Sequence, residues 1–440
     1  MKLNIRKTGI LIVAMSLATA WAIRGQFGHE QGAAWAGAIG AIALVIVANR
    51  KDWYAKMPLV ALASALGWGA GGMISYGVVV GYGKSDDFIN AYYGLSMLFV
   101  IGALFGLLGG GLVGMVLDGT KKNKVNWGAL ISEMVAGGLL TYFFLIEQIG
   151  FKMTPPRSEA WAFVLGAGLA MLLHLARNKR NSAIRVAIFS ALGGGFGFGF
   201  GNFLQVVGNV MEIPFNMWNV MEYSIGFFGG LGMAYGVFSS AWPMEREERP
   251  KTWANTCALF VFLIFVPVMV YRESLAYGHM VRRLGEMANL EQIALMSTIF
   301  AAVALLLMAA FGFYVFRGNS YSRKNVLLFF FVYLGGYALM SYLVSGLLAG
   351  RMGLNHHLYV LNILLVFVLF RKMVQEWPGG ESNRLTVKKW FVYLVLILVF
   401  LAVLALIAIN THGEIPGSNN RFEIGLDFCR EIQPDSLRII

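Results

Sequence analysis

The feature that most constrains this chain is a succession of apolar runs, each long enough to cross the roughly 30 Å hydrocarbon core of a bilayer. No polar stretch between them is long enough to fold as a separate soluble domain. With 58% hydrophobic and 13% charged residues, the composition excludes an ordinary soluble protein of 440 residues. The pattern predicts an all-α polytopic membrane protein with about thirteen transmembrane helices. The predicted spans are 9–23, 33–49, 58–83, 91–117, 127–149, 159–176, 187–210, 217–242, 252–271, 293–316, 325–349, 355–370 and 390–410.

Lysine and arginine are distributed unevenly among the predicted loops, and their distribution indicates the orientation of the chain. The basic segments "RKDWYAK" (50–56), "KKNK" (121–124), "RNKRNSAIR" (177–185), "REERPK" (246–251), "RGNSYSRK" (317–324) and 371–389 all fall on one side. That side is predicted to be cytoplasmic, with the N-terminus inside and the tail 412–440 outside a bacterial-type inner membrane. The formal charge of +12 is then an orientation signal, and no nucleic-acid partner is predicted.

An internal repeat further constrains the organisation. A shift of 126 residues aligns "AAWAGAIGA" (33–41) with "EAWAFVLGA" (159–167) and "SALGWGAG" (64–71) with "SALGGGFG" (190–197). Each unit contains an even number of spans, so the two copies are predicted to run in the same direction through the bilayer. The predicted organisation is a four-helix unit over 1–126, a second over 127–250, a five-helix region over 251–411 and an extracytoplasmic tail over 412–440.

Polar and ionisable residues at membrane depth are costly and usually face a cavity or a partner. In this chain they concentrate near the predicted outer ends of the helices. Glu222 is the most informative, because it lies inside the apolar stretch "NMWNVMEYSIGFFGG" and is therefore predicted to point into a cavity or to be ion-paired. The candidate substrate-binding or coupling residues are Arg24, Gln26, His29, Glu30, Gln31, Glu147, Gln148, Arg157, Asn202, Gln205, Asn219, Glu222, Arg351, Asn355, His356 and His357.

The turn "RGQFGHEQG" (24–32) is the most distinctive of these sites. At the 126-residue shift it becomes "GFKMTPPRS" (150–158), so the turn is shared by the two units while its chemistry is not. A helix cap accounts for Glu30, which suits the positive end of a helix dipole, but does not account for the other polar residues. The flanking predicted spans are short, about 15 and 17 residues, and short glycine-interrupted segments in repeated folds indicate a substrate site.

Neither a metal ion nor a cofactor is predicted. Cys257 and Cys429 form no CxxC pair, and the adjacent residues His356 and His357 face different sides of a helix. The glycine-rich "SALGGGFGFGFGN" (190–202) is typical of close helix packing in lipid, with an unwound helix lining a cavity as the alternative. Aromatic residues such as Trp21, Trp35 and Trp161 are interpreted as an interfacial belt.

The leading hypothesis is a transporter of a small polar or anionic solute with an outward-facing polar site. Arg24 and Arg157 would bind an anion or balance carboxylates, while His29, Glu30 and Glu222 would couple protons. Asn202, Gln205 and Asn219 would supply neutral hydrogen bonds. An alternative is a membrane-embedded transferase for a lipid-linked substrate, in which His29 and Glu30 act as base and orienter and Arg24 or Arg351 neutralises a diphosphate. A non-catalytic membrane subunit is the third possibility; membrane lipid is a partner in all three, and the oligomeric state stays open.

Overall fold

The structure is a computed structural model that describes residues 5–244, 252–317, 321–373, 377, 380 and 384–422. Cys429, the tail beyond residue 422, the basic stretch 246–251 and parts of 317–324 and 371–389 lie outside these residues. Within the described residues all regular secondary structure is helical and no strand is present, and eleven of the helices are long and apolar enough to cross a membrane. The fold is that of a multi-pass helical membrane protein.

The first two units of the predicted organisation contain nine α-helices in the described residues. They are α1 (Ile5–Arg24), α2 (His29–Ala48), α3 (Lys51–Gly72), α4 (Gly77–Tyr82), α5 (Phe88–Asp118), α6 (Trp127–Tyr142), α7 (Ala160–Arg177), α8 (Asn181–Val210) and α9 (Met217–Phe238). A π-helical segment, Phe143–Gln148, continues α6.

The remaining helices surround this group. They are α10 (Thr252–Phe260), α11 (Val266–Val270), α12 (Tyr277–Leu284), α13 (Leu290–Phe316), α14 (Arg323–Ser345), α15 (Leu354–Lys372) and α16 (Val387–Ile409). Two π-helical segments, Val261–Phe265 and Tyr271–Leu275, continue α10 and α11, so that 253–275 forms one candidate span.

Several predicted boundaries are wrong. The helices α1 and α2 contain 20 residues each and not about 15 and 17, so neither is unusually short and their length does not indicate a substrate site. The predicted span 58–83 is two helices, because the helix that begins at Lys51 stops at the pair Gly71 and Gly72, and a separate short helix follows. Consecutive glycines favour such a break because glycine loses more conformational entropy in a helix than any other residue.

The helices α3 and α9 are of spanning length but are not among the eleven apolar candidates. Both lie inside the bundle, where α3 packs along α2 and α5, and α9 packs along α1 and α8. Because neighbouring helices cover most of their surface, they tolerate polar residues that a lipid-facing helix does not. The predicted total of about thirteen spans includes these two.

Glycines set the distance between the central helices α5 and α8. A Cβ atom built on Gly106 would lie 2.0 Å from the carbonyl oxygen of Ser190, and one on Gly194 would lie 2.4 Å from that of Gly102. The two backbones therefore approach more closely than any larger residue at these positions permits. The helix α8 is continuous through "SALGGGFGFGFGN", so the alternative of an unwound segment is wrong.

The two predicted repeat units occupy unlike environments. The 126-residue shift brings α1 into register with α6, yet 78% of the α1 span is buried and only 17% of the span containing α6. The central bundle is formed by α1, α2, α3 and α5 of the first unit and by α8 and α9 of the second. The duplication itself stays a prediction.

Candidate functional site

A buried ion pair joins the end of α1 to the first turns of α9. Arg24 Nη1 lies 3.0 Å from both Oε1 and Oε2 of Glu222, and the two side chains are only 2% and 4% exposed. Tyr76, in the connection between α3 and α4, completes the group: its hydroxyl accepts a hydrogen bond from Arg24 Nη1 at 2.7 Å and donates one to Glu222 Oε1 at 2.7 Å. Three segments distant in sequence thus meet at one charge pair, here called the Arg24 cluster (Arg24, Tyr76 and Glu222).

The surroundings of the Arg24 cluster are aromatic on one side and open to solvent on another. The Trp21 ring centroid lies 5.0 Å from the Arg24 guanidinium carbon, within cation–π range, and Phe198 packs edge-on against Tyr76. His29 is exposed at the first residue of α2, and its Nδ1 lies 3.3 Å from Arg24 Nη2. His29 therefore connects the buried pair with the exposed end of the bundle, which we call the Arg24 end.

A second polar group, centred on Gln26, lies beside the cluster at the Arg24 end. Its side-chain oxygen accepts hydrogen bonds from Ser341 at 2.8 Å and Ser345 at 3.2 Å, both on α14. Its amide nitrogen lies 3.2 Å from Nε2 of His356 on α15, which is itself 2.9 Å from the Ser345 hydroxyl. The α1–α2 turn is thereby fastened to α14 and α15.

A third group connects α1, α9 and α15. Asn219 donates to the carbonyl oxygen of Ala22 at 3.0 Å and to the hydroxyl of Tyr359. The Tyr359 hydroxyl also accepts from Asn355 at 3.3 Å and donates to the Ala22 carbonyl at 3.3 Å. Asn219 and Glu222 lie one helical turn apart on α9, so this group is adjacent to the Arg24 cluster.

A lateral groove lies beside the third group, between α1, α9 and α15. Its volume is about 290 Å³, and its outer walls include the exposed residues Leu358, Leu361 and Leu365 of α15. Its polar lining comprises Thr19, Asn219, Tyr223, Tyr359 and Asn362. Because α15 is a candidate span, this groove opens toward the face where lipid would lie.

Some of the predicted site residues lie elsewhere. Asn202 and Gln205 are fully buried and hydrogen-bond each other at 3.3 Å, next to the Val80 carbonyl. The candidates outside the three groups also include the half-buried Gln31 and, apart from His29, all of the exposed ones: Glu30, Glu147, Gln148, Arg157, Arg351 and His357. Arg351 donates to the Leu284 carbonyl at 2.6 Å. The structure therefore brings together Arg24, Gln26, His29, Asn219, Glu222, Asn355 and His356, and leaves the exposed candidates outside the three groups.

Sequence reasoning missed several participants. Tyr76, Ser341, Ser345 and Tyr359 carry no charge and occur in ordinary apolar or small-residue contexts, so nothing in the sequence marks them. Glu159 was also missed; it is buried and accepts hydrogen bonds from two backbone amides, of Met153 and Thr154, and from Trp161 Nε1. Its position one residue before α7 was the available signal.

The aromatic belt interpretation is wrong for three residues. Trp21 and Trp35 are fully buried, and Trp161 is buried as well. Trp35 stacks on Tyr337 with ring centroids 4.5 Å apart. These rings fill the interior of the bundle, where their large apolar area is removed from lipid and water alike.

The described part of the tail packs on the Arg24 end of the bundle. The Asn90 side chain accepts hydrogen bonds from the backbone amides of Arg421 and Phe422 at 2.7 and 2.8 Å, and donates to the Phe422 carbonyl at 3.0 Å. Ser85 donates to Asn420 at 2.6 Å. Lys84, in the same loop, lies 5.7 Å from the Trp218 ring, and burial lowers the pKa of its ammonium because the charged form loses water.

In the described residues no three histidine, cysteine, aspartate or glutamate side chains are grouped so that they could hold a metal ion. Comparisons with protein families, with curated proteins and with solved structures find no match to this chain. The fold and the site together define a multi-pass helical membrane protein with a buried ion-pair cluster near one end of its central bundle.

Proposed function

We propose that this protein transports a small polar or anionic solute, and that the Arg24 cluster is its exchange site. The observation that carries the proposal is the ion pair between Arg24 and Glu222, which is buried in the central bundle and reaches the exposed end through His29. Transport sites in helical membrane proteins are commonly built from such interior ionisable groups.

The energetics favour a functional role for this pair. Removing two charges from water costs several kcal/mol per ion, and apolar residues of similar volume often replace a buried pair without loss of stability. If the only role of these residues were to hold α1 against α9, apolar side chains would do so at a lower desolvation cost than an ion pair. It is a suitable choice if one partner must be exchanged during a cycle.

The exchange that we propose is a competition for Arg24. An anionic solute would take the place of the Glu222 carboxylate on the guanidinium, and Glu222 would accept a proton from the Arg24 end, where His29 is exposed. The neutral acid would keep its hydrogen bond with Tyr76. Charge in the site is conserved, because the solute carries in the negative charge that the proton removes from Glu222.

The test uses the full chain in liposomes loaded with the pH indicator pyranine. Acetate, lactate, succinate, phosphate, sulfate and glutamate are added one at a time outside, and lumenal pH is followed. We expect at least one of them to drive a pH change that Glu222→Gln abolishes, because the amide takes up no proton. The matched control is Glu212→Gln, because Glu212 is an exposed carboxylate in the turn between α8 and α9, at the Arg24 end of the bundle. Equal responses from wild type and Glu222→Gln to every solute would refute the proposal.

A transferase acting on a lipid-linked substrate is the second candidate function, because such a substrate would enter from the lipid through the lateral groove. Its lining offers amides, hydroxyls and phenols, whereas acid–base chemistry in such a reaction calls for a group that titrates near the operating pH. That group would have to come from the neighbouring Arg24 cluster. A transferase would release a modified lipid in liposomes that contain its donor, without the solute-dependent pH change.

A further inference from the structure

We propose that the lateral groove binds a membrane amphiphile with an uncharged, hydrogen-bonding headgroup, such as a polyol or an amide. This site does not depend on the transport proposal, since it lies outside the Arg24 cluster. It uses Thr19 of α1, Tyr223 of α9 and Asn362 of α15, none of which belongs to the three polar groups described above.

The strongest evidence is the position of Asn362. It lies eight residues into α15, about 12 Å along the helix at 1.5 Å per residue. The exposed side chains of α15 around it are leucine, valine and phenylalanine, so the groove is cut into an otherwise lipid-facing surface. A polar amide at this depth is costly unless its donors and acceptor are satisfied.

The hydrogen bonds around Asn362 are incomplete. Its Nδ2 carries two protons but lies against three acceptors, the Thr19 hydroxyl, the Met15 carbonyl at 3.3 Å and the Tyr223 hydroxyl at 3.3 Å. In the described part of the chain, Asn362 Oδ1 accepts no hydrogen bond and the Tyr223 hydroxyl has no acceptor for its proton. The groove therefore presents one free acceptor and one free donor, both half-buried and both belonging to its lining.

This pair of groups selects the ligand. A hydroxyl can donate to Asn362 Oδ1 while another oxygen of the same headgroup accepts from Tyr223. Among the described residues no charged side chain lines the groove, so a phosphate headgroup would bring an unpaired charge to membrane depth. A second copy of the chain would cover the groove with apolar helix surface and leave both groups unsatisfied.

The size of the groove fits a headgroup and the first carbons of a chain. Its volume of about 290 Å³ is at the lower end of small-molecule pockets, which span about 300–1,000 Å³. The rest of an acyl or isoprenoid chain would lie along Leu358, Leu361 and Leu365 and continue into the bilayer. In the predicted orientation the ligand would enter from the outer leaflet.

The test is photolabelling of the full chain in phosphatidylcholine nanodiscs. The probe is a monoacylglycerol with a diazirine in its acyl chain, and labelled peptides are mapped by mass spectrometry. We expect labelling in the segment 354–372, competed by excess monooleoylglycerol but not by oleate or by lysophosphatidate. Asn362→Leu should weaken half-maximal labelling about tenfold, which corresponds to the loss of one or two hydrogen bonds.

Two further variants keep the proposal falsifiable if Asn362→Leu folds poorly. Leu361→Trp narrows the groove from its exposed wall and should also reduce labelling, whereas Asn410→Leu, at the exposed end of α16, should not. Labelling that is unchanged in both groove variants would overturn the site. Preferential competition by lysophosphatidate would overturn the uncharged headgroup, and protection of 354–372 by a dimer contact would replace the ligand with a second copy.

Discussion

Nη1 of Arg24 lies 3.0 Å from each carboxylate oxygen of Glu222, although the two residues are 198 positions apart in the chain. The contact joins the last residue of α1 to the second turn of α9, and Tyr76 bonds to both partners. This contact connects the two predicted repeat units and places a hydrogen-bonded charge pair in the interior of the bundle.

Removing one member of the pair should cost more stability than removing both. Arg24→Ala or Glu222→Ala leaves an uncompensated buried charge, for which we expect a loss of about 3–5 kcal/mol in the free energy of unfolding. The double variant Arg24→Met with Glu222→Leu should recover most of that loss. Thermal unfolding of the purified full chain in one detergent measures all three. A double variant less stable than both single variants would contradict the interpretation.

Tyr76→Phe should weaken the cluster without removing a charge. The variant loses a donor to Glu222 and an acceptor for Arg24, and we expect a loss of about 1–3 kcal/mol in stability because both charged groups then have unmet hydrogen-bonding capacity. The control is Tyr277→Phe, at the exposed start of α12. The same unfolding measurement applies, and equal effects of the two substitutions would show that the Tyr76 hydroxyl contributes nothing specific.

Gly106→Ala should disrupt the contact between α5 and α8. The added Cβ would lie 2.0 Å from a backbone carbonyl of the neighbouring helix, so the helices must separate, at a cost of about 1–3 kcal/mol. Gly335→Ala in α14 is the matched control, because nothing lies within 4 Å of its Cβ position. In thermal unfolding Gly335→Ala should be neutral or slightly stabilising. A neutral Gly106→Ala would show that these backbones are not in the close contact described.

Asn90→Ala should release the described end of the tail. The substitution removes three hydrogen bonds to Arg421 and Phe422, and at about 1 kcal/mol each their loss should raise the rate of tryptic cleavage after Arg421 at least tenfold. Peptide mass spectrometry over a digestion time course measures the rate, with Asn410→Ala as the control. An unchanged rate would mean that other contacts hold the segment.

The prediction of a polytopic helical membrane protein is confirmed, because apolar runs of spanning length leave few other structures possible. Helix ends were less predictable: α1 and α2 extend over the polar residues at their ends, since a helix that continues satisfies its own backbone groups. The character of α3 and α9 was hidden as well, because their polar residues are tolerated only where other helices surround them.

For the candidate site, the sequence identified costly residues but not their partners. Arg24 and Glu222 were conspicuous because an ionised group inside an apolar stretch must be paired or must face a cavity. That they pair with each other, and that Tyr76 joins them, depends on the packing of α1 against α9 and on the position of the α3–α4 connection beside them. The same is true of Asn362, whose free acceptor is meaningful only beside Thr19 and Tyr223.

By itself, the sequence determined that the chain crosses a membrane many times and that its ionisable residues gather toward the helix ends, since hydrophobicity and charge are properties of each segment alone. Only the tertiary structure decided which of those residues meet. Pairing depends on the distances between helices, and glycines at the contacts set such distances in this bundle, as Gly106 and Gly194 do between α5 and α8.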